Sequence, residues 1–300
     1  MQIEAFQQDM TDHLAAFRER ALATGAPAEQ IGRWAGLARP AVILAPTADG
    51  PEAGWFGDER RPAPGADGTY SAIRERRPEE MHLIATVDLA KVAASATDLP
   101  LPADGHLLFF ASTEIGDENT AGSVDYLPAG TGLGDRARDY DDYDNYELLY
   151  DRGIGTHEDL EAGLRKIDPL RPVPVVTLPD HEPTYSRPLF TDPLAERFED
   201  AGRLRRAWHD TRWTHGWPGA HLQLGGWASA YGEEFGDPVR YAAATAKFDG
   251  AEGAPDGDSW VLLAQWIGFL DHASMFWTIP AADLEELRFD RARVILHWRP

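Results

Sequence analysis

Two apolar segments near the C-terminus, WVLLAQWIG (260–268) and MFWTI (275–279), decide the fold of this chain. Short apolar runs that are rich in β-branched and aromatic side chains and end at turn residues are typical of strands. The longest apolar run, residues 260–270, is shorter than the roughly eighteen residues of a membrane helix, and it contains Gln265 and Gly268. The two segments therefore predict strands of a sheet, and the chain is not expected to enter a membrane.

Two earlier segments resemble this pair and extend the sheet. Residues 81–89 and 105–111 are buried-strand candidates, and the second carries apolar side chains on both faces. Residues 83–86 (LIAT) match 262–265 (LLAQ), and residues 105–109 (GHLLF) match 273–277 (ASMFW). We infer a sheet built on a pseudo-duplicated strand-turn-strand unit.

Helices precede and interrupt these strands. Residues 2–24 carry an apolar side chain at every third or fourth position, and a short second helix follows Pro27, so residues 1–40 form an N-terminal helical segment packed on the core. One further helix begins after Thr191 or Asp192, with Pro193 in its first turn. We expect it to bury Leu194, Phe198, Ala201, Leu204 and Trp208 and to pair Glu199 with Arg203.

The remaining pattern completes an α+β fold with one largely antiparallel, sheet-rich core over residues 41–300. Residues 172–179 alternate proline with valine, which suits an edge segment because proline cannot donate a hydrogen bond to a neighbouring strand. A helix is expected near 238–248 and a final strand at 293–298.

Composition excludes several functional classes. The chain of 300 residues has no cysteine, which excludes disulfides, zinc ribbons and thiolate chemistry and favours the reducing cytoplasm. Its N-terminus lacks the order of a signal peptide. With 50 Asp and Glu against 28 Lys and Arg, the formal charge is −22, which disfavours direct nucleic-acid binding and favours a basic partner. The sequence predicts no cofactor and no metal, and it leaves the oligomeric state open.

Several blocks carry a resemblance to a known family. They are residues 54–57 (GWFG), the segment 83–89, residues 101–105 (LPADG) leading into 107–110 (LLFF), residues 221–226 (HLQLGG), residues 260–265, residues 275–279, and Asp283-Leu284 before Phe289-Asp290. In this order and spacing the chain, from about residue 41 to 298, resembles the YwqG-like family of bacterial domains of unknown function. Two positions depart from the family pattern: Asp58 stands where a second glycine is expected, and Trp227 follows where a proline is common.

The resemblance implies an α+β fold with much antiparallel sheet, and it implies no established reaction. The resemblance also implies relatives in bacterial toxin and immunity gene neighbourhoods, which suggests an immunity-type or regulatory role.

Six residues are candidates for ligand binding. His221 precedes Gly225 and Gly226, and adjacent glycines let a backbone approach a ligand or another strand closely. The other three candidates are Asp258, Trp260 and Gln265, the last being a polar group between aromatic residues. Tight packing explains the glycines equally well, and a buried amide bonded to the backbone explains Gln265.

Two other clusters invite a metal or partner interpretation. His209, His215 and His221 recur every six residues, but Gly216 and Pro218 interrupt them, which favours separate structural roles. The acidic, tyrosine-rich segment 135–151 lacks the glycine and distal glutamate of a calcium loop. It is interpreted either as a solvated loop or as a mimic of nucleic acid that captures a basic protein.

The preferred hypothesis is therefore a non-catalytic binding protein for a protein partner. The alternative is a hydrolase that uses His221 with nearby carboxylates such as Asp258 for general acid–base catalysis. A carbohydrate or peptide binder that uses surface tryptophans is a third possibility.

Overall fold

The structure is a computed structural model of the chain, and it describes eleven segments. These are residues 2–46, 48–56, 81–92, 96–112, 122–131, 169–181, 192–214, 221–229, 236–249, 256–270 and 273–298. Asp58, His215 and the acidic segment 135–151 lie outside the described residues, and so do the predictions that concern them.

The described helices and strands alternate in short blocks along the chain. The helices are α1 (Gln2–Ala23), α2 (Ala28–Ala35), α3 (Pro193–Arg197), α4 (Ala201–Thr214), α5 (Pro238–Phe248) and α6 (Ala281–Glu285). The strands are β1 (Arg39–Ala45), β2 (Gly54–Phe56), β3 (Met81–Asp88), β4 (His106–Ser112), β5 (Gly122–Leu127), β6 (Arg171–Thr177), β7 (His221–Leu224), β8 (Trp260–Leu270), β9 (Ala273–Pro280) and β10 (Arg293–Trp298).

These strands form two antiparallel sheets. One has six strands in the order β10-β9-β8-β7-β1-β6, and the other has four in the order β2-β3-β4-β5. Every pair of neighbouring strands is antiparallel. The fold is therefore α+β with an N-terminal helical segment, as the sequence predicts.

The sheets pack face to face around the main core. Val42, Leu222, Leu263 and other residues of the six-stranded sheet share one buried cluster with Ile84 and Phe109 of the four-stranded sheet. Between the sheets, the rings of Phe109 and Trp277 meet edge to face with centroids 5.3 Å apart. Trp277 Nε1 also donates to the carbonyl oxygen of Phe110 at 3.1 Å, so the largest side chain of this core has its polar atom bonded.

The two hairpins of the predicted repeat have matching irregularities. The β3–β4 register shifts between Leu83 and Ala85, and the β8–β9 register shifts between Leu262 and Ala264. A bulge adds one residue on one strand and bends it locally, so both hairpins bend at the same place in the repeat. The two copies lie in different sheets, however, and not in the one pseudo-duplicated sheet that the sequence predicted, and β8–β9 has a second register shift, between Trp266 and Leu270, that β3–β4 lacks.

Helices cover the outer face of the six-stranded sheet, the face turned away from the four-stranded sheet. On one flank α1 to α4 enclose a cluster that contains Phe17, Trp34, Phe198 and Trp208. On the other flank α5 packs its alanines against Trp260 and neighbouring residues of β8 to β10. Burying this outer face explains why the strands are apolar on both sides.

The predicted helix after Asp192 is two helices, which corrects the single helix expected from the sequence. Asp192 does cap α3, its Oδ1 accepting from the backbone N–H of Leu194 and Ala195 at 3.1 and 3.2 Å. Phe198 then leaves the helical conformation (φ −132°, ψ 110°) and packs edge to face on Trp34 at 5.0 Å. Arg203 pairs with Asp200 at 2.7 Å, in place of the expected Glu199.

The margins of the six-stranded sheet are β6 and β10. The edge position of β6 is the one that its prolines predicted. Within the part of the chain that the structure describes, no helix is long and apolar enough to cross a membrane. The boundary between residues 1–40 and 41–300 stays a prediction.

Candidate functional site

The centre of the six-stranded sheet carries polar side chains on its outer face. Strand alternation places His221 and Gln223 of β7 on the face opposite Leu222 and Leu224, which point into the main core. Gln265 of β8 stands directly opposite Gln223 in the register. All three polar side chains are buried. Among the sequence candidates, His221 and Gln265 therefore belong to one buried polar row, and Gln223 joins them.

The two glutamines hold the chain that follows β7, residues 225–229, which we call the 225–229 loop. Gln265 Nε2 donates to the carbonyl oxygen of Ser229 at 2.6 Å, and its Oε1 accepts from the Ser229 N–H at 2.7 Å. Gln223 Nε2 donates to the carbonyl oxygens of Gly225 and Trp227 at 2.9 and 2.8 Å. The side-chain amide of Gln265 thus forms with the backbone of Ser229 the two hydrogen bonds that a neighbouring strand would form. A buried amide bonded to the backbone is one of the two interpretations of Gln265 considered from the sequence.

Side chains from three distant segments bond the rest of the 225–229 loop. Asp98 Oδ1 accepts from the N–H of Gly226 at 3.0 Å, and Thr177 Oγ1 accepts from the N–H of Trp227 at 2.8 Å. The indole of Trp227 donates to the carbonyl oxygen of Leu37 at 2.7 Å, and the Arg39 guanidinium lies 4.2 Å from its ring centroid. Sequence reasoning missed Asp98 and Thr177, because nothing local marks them as partners of residues so far along the chain.

Gly225 and Gly226 are required by the packing of this loop. Their φ angles are 70° and 69°, a region that side-chain-bearing residues rarely adopt. A Cβ on Gly225 would overlap Thr97 Oγ1, and one on Gly226 would overlap Thr177 Oγ1 and lie 2.9 Å from the Cβ of Ala41. Both glycines therefore pack against protein in the described structure.

Asp258 and Trp260 lie far from His221. His221 pairs with Ile267 near one end of β8, whereas Trp260 begins that strand at the other. Seven residues of extended strand span about 23 Å. Asp258 is exposed and forms an ion pair with Arg240 of α5, and Trp260 belongs to the α5 cluster. The structure therefore does not bring together the histidine and carboxylate that the hydrolase hypothesis combined.

A buried ion pair, which the sequence did not reveal, lies beside the 225–229 loop. Arg212, near the end of α4, donates to Asp180, and both side chains are almost wholly buried. Burial lowers the pKa of Arg212, while the charge and hydrogen bond of Asp180 oppose this shift. Ser229 Oγ is 3.5 Å from Asp180 Oδ2. The ion pair thus connects α4 to the loop after β6 and to the 225–229 loop.

A second buried group joins α4 to the start of α3. Arg205 donates to both carboxylate oxygens of Asp192, at 2.7 and 2.9 Å, and it lies 3.1 Å from His181 Nε2. Burial raises the pKa of Asp192, but the hydrogen bonds and charges of His181 and Arg205 outweigh it and hold that pKa well below its usual range. Arg205 makes the closer contacts, since His181 Nε2 is 3.9 Å from the carboxylate.

This pKa shift predicts a dependence of stability on acid. Because the folded-state pKa of Asp192 is depressed, its stabilising contribution is complete above the unfolded value of about 4 and is lost as the pH falls below it. Asp192→Asn keeps a capping side chain but removes the charge. Urea unfolding at a series of pH values is expected to show the variant less stable at pH 7, with the difference shrinking below about pH 4. A difference that stays constant throughout acidification would contradict this assignment.

The described site is built to hold segments together, and it lacks a metal cluster. No group of three or more His, Asp or Glu side chains that could hold a metal occurs among the described residues. His209 lies on α4 with its Nδ1 3.4 Å from Arg212, and His221 lies on β7. The buried hydrogen bonds and ion pairs of this site hold the 225–229 loop rigidly in place.

Comparison with known proteins places the chain in a family. No curated protein matches it. A family model described as a domain of unknown function, DUF1963, matches residues 66–298. That range contains β3 to β10 and α3 to α6, and therefore nearly all of both sheets and the buried polar row. The chain belongs to the DUF1963 family, whose function is not known.

Proposed function

We propose that this chain is a non-catalytic binding protein that captures a basic protein partner through its surplus negative charge. The role is of an immunity or regulatory type, in which blocking the partner is the function. The observation that carries the proposal is the distribution of charge over the molecule.

The basic side chains of the described residues are largely neutralised within the protein. Ion pairs with carboxylates engage Arg20, Arg39, Arg203, Arg205, Arg212, Arg240, Lys247, Arg288, Arg291 and Arg293. Because the chain has a formal charge of −22, its carboxylates outnumber the basic side chains that could pair with them. The segment 135–151 adds seven Asp and Glu against two Arg. A surface of this kind attracts a basic protein and repels nucleic acid.

Two observations favour binding over the alternative functions. Asp258 and His221 stand at opposite ends of β8, so a general acid–base pair formed by these two residues has no geometric support. Tryptophans with described side chains give no exposed aromatic platform for a sugar or peptide. Trp34, Trp55, Trp208, Trp260 and Trp277 are buried, and Trp227 and Trp266 are half-buried.

We also propose that the family is the YwqG-like group that the sequence motifs resemble, and that the protein acts in the bacterial cytoplasm. The absence of cysteine supports a reducing compartment. The order of the blocks from residue 54 to residue 290 supports the family relation.

The proposal predicts a salt-sensitive complex. The protein is used to capture partners from an extract of its own cells, and the captured protein is identified and purified. We expect it to be basic, and we expect its Kd to rise at least about tenfold when salt increases from about 0.05 M to about 0.5 M. A neutral or acidic partner, or an affinity that does not change with salt, would rule the proposal out.

A pair of charge variants sharpens this test. The first changes Asp139, Asp141, Asp142, Asp144 and Glu147 to the corresponding amides. The control makes the same change at five exposed positions, Asp12, Glu19, Glu29 and Glu196 in helices and Glu199 in the turn between α3 and α4. If segment 135–151 contributes to the binding surface, the first variant weakens binding more than the control does. If both variants weaken binding of the partner equally, the overall charge of the protein, and not segment 135–151, causes the attraction.

A further inference from the structure

Asp-Gly dipeptides are the positions at which aspartate rearranges most readily, because glycine has no side chain to hinder attack by its own backbone nitrogen. The chain contains five of them, which begin at Asp49, Asp67, Asp104, Asp249 and Asp256, and it contains no Asn-Gly dipeptide. Three lie wholly within the described residues: Asp49–Gly50, Asp104–Gly105 and Asp256–Gly257. The aspartate is exposed in all three, so exposure of the carboxyl group does not distinguish them.

The rearrangement needs a neutral carboxyl group and a rotation of the backbone. The glycine nitrogen attacks the side-chain carboxyl carbon, a C–N bond forms, and the carboxyl hydroxyl leaves with the amide proton as water. Water then opens the resulting succinimide ring. Opening at the main-chain carbonyl gives isoaspartate, whose backbone runs through the side-chain carbons, and opening at the other carbonyl restores aspartate. Ring closure turns the peptide group, so the carbonyl oxygen of the aspartate must move.

Packing holds the Asp104–Gly105 peptide against this rotation. The carbonyl oxygen of Asp104 accepts from the Tyr126 hydroxyl at 3.2 Å, and that of Gly105 accepts from the N–H of Leu89 at 3.0 Å. Gly105 is buried, and a Cβ built on it would overlap the carbonyl oxygen of Leu127. Attack at this site therefore requires local unfolding.

The Asp256–Gly257 peptide is restrained by two other contacts. The carbonyl oxygen of Asp256 accepts from the N–H of Ser259 at 2.8 Å, in the turn that precedes β8. The Asp256 carboxylate forms an ion pair with Lys247 of α5, and this hydrogen bond and charge hold the pKa of Asp256 below its usual range. Because a lower pKa reduces the fraction of neutral carboxyl group at a given pH, Lys247 slows the reaction.

Neither kind of restraint applies to Asp49–Gly50, in the connection between β1 and β2. Among the described residues, Asp49 has no ion-pair partner, and no N–H or hydroxyl donates to its carbonyl oxygen. Gly50 is exposed, and its contact with Arg171 Nε is made by its own carbonyl oxygen at 3.2 Å. That oxygen lies outside the peptide group that must turn.

We propose that Asp49–Gly50 is a site of spontaneous isoaspartate formation in the folded protein, and that the fold suppresses the same reaction at Asp104 and Asp256. The three sites share the reacting dipeptide and an exposed aspartate, so the contacts around them make the difference. The reaction is independent of the proposed function, since it needs no partner other than water.

The modification changes the contacts of β6. Isoaspartate at residue 49 adds one methylene group to the main chain between Pro46 and Gly50. The carbonyl oxygens of these two residues accept from Nη1 and Nε of Arg171 at 3.3 and 3.2 Å. Because Arg171 is the first residue of β6, a longer chain between the two acceptors weakens the attachment of the β1–β2 connection to this edge strand.

Prolonged incubation of the purified full-length protein at neutral pH tests this proposal. Electron-transfer fragmentation of proteolytic peptides measures isoaspartate at each site, in the folded protein and in the protein unfolded by guanidinium chloride. The ratio of the folded to the unfolded rate removes the intrinsic reactivity of each dipeptide. We expect this ratio to be at least about fivefold higher at Asp49 than at Asp256, and lowest at Asp104. A ratio at Asp49 no higher than at the other two sites would overturn the proposal.

Two variants of the folded protein identify the groups responsible. Lys247→Met removes the ion pair and should raise the rate at Asp256 at least about twofold, while the rates at Asp49 and Asp104 stay unchanged. An unchanged rate at Asp256 would refute the protection assigned to Lys247. Asp49→Glu keeps the charge but disfavours ring closure, because the ring would have six members, so the signal at residue 49 should disappear. A signal that persists in this variant would place the modification elsewhere and overturn the assignment.

Discussion

Gly226→Ala is expected to lower the free energy of unfolding by about 3 kcal/mol or more, which is one of the two largest effects that we predict for a single substitution. Alanine would have to adopt a φ of 69°, and its Cβ would overlap Thr177 Oγ1 and lie 2.9 Å from the Cβ of Ala41. Thr177 cannot move without loss, since Oγ1 donates to the carbonyl oxygen of Arg39 at 3.1 Å and accepts from Trp227 at 2.8 Å. The measurement is urea unfolding followed by tryptophan fluorescence.

Two other glycines separate the cost of backbone strain from the cost of steric overlap. Gly25 has a φ of 83° but nothing within 4 Å of a built Cβ, so Gly25→Ala should cost only about 1 kcal/mol. Gly32 lies in α2 with equally open space and no positive φ, so Gly32→Ala should stabilise the protein by roughly 0.5–1 kcal/mol. If Gly226→Ala cost no more than Gly25→Ala, the tight packing of the 225–229 loop would be refuted.

Asp180→Ala is expected to destabilise the protein by about 3–5 kcal/mol, because it removes the carboxylate to which the buried Arg212 guanidinium donates. The side chains of Asp180 and Arg212 are only 1% and 8% exposed, so water cannot replace the lost partner. Ser229 would also lose the nearby carboxylate oxygen. Urea unfolding at neutral pH measures the loss.

A double-mutant cycle distinguishes the ion pair from a simple loss of packing. Arg212→Met alone should also destabilise, and the double variant should be more stable than the sum of the two single effects by about 2 kcal/mol or more. The matched surface pair is Arg240 with Asp258, whose carboxylate is 80% exposed. Asp258→Ala should leave stability unchanged within experimental error. Additive effects at Asp180 and Arg212 would show that they do not interact.

Most of the secondary structure could be predicted from local patterns. The apolar stripe of α1 and the proline and aspartate at the start of α3 identify these helices, and the boundaries of α5 agree with the segment expected at 238–248. Paired strands such as β8 and β9 are evident as apolar runs between turns. These signals depend on residues within a few positions of each other, so one sequence suffices to detect them.

The break between α3 and α4 could not be predicted in this way. The apolar positions from Leu194 to Trp208 continue at helical spacing, and all of them are buried as expected. What interrupts the helix is Trp34, on which Phe198 packs, together with Gln30 Oε1, which accepts from the N–H of Asp200 at 3.2 Å. Both partners lie more than 160 residues earlier in the chain, so no local pattern contains them.

The residues of the candidate site also divide into those that the sequence identified and those that only the structure revealed. Gly225, Gly226 and Gln265 were identified from residue type and their position beside apolar strands, and the structure gathers them around the 225–229 loop. Their partners Gln223, Asp98 and Thr177 were not identified, and Asp258 was grouped with His221 although β8 separates them. The distance between two residues in the sequence does not predict whether they meet in a sheet, because an extended strand lengthens by about 3.3 Å with each residue.

The sequence by itself determined the fold class, the helix and strand segments, the edge position of β6 and the surplus of negative charge. Tertiary structure alone decided which buried polar groups meet, including Gln265 with Ser229, Arg212 with Asp180 and Arg205 with Asp192. Hydrophobic periodicity and helix capping depend on residues that are close together in the sequence. A buried charge or amide is stable only beside a partner, and that partner is brought to it by the folding of the whole chain.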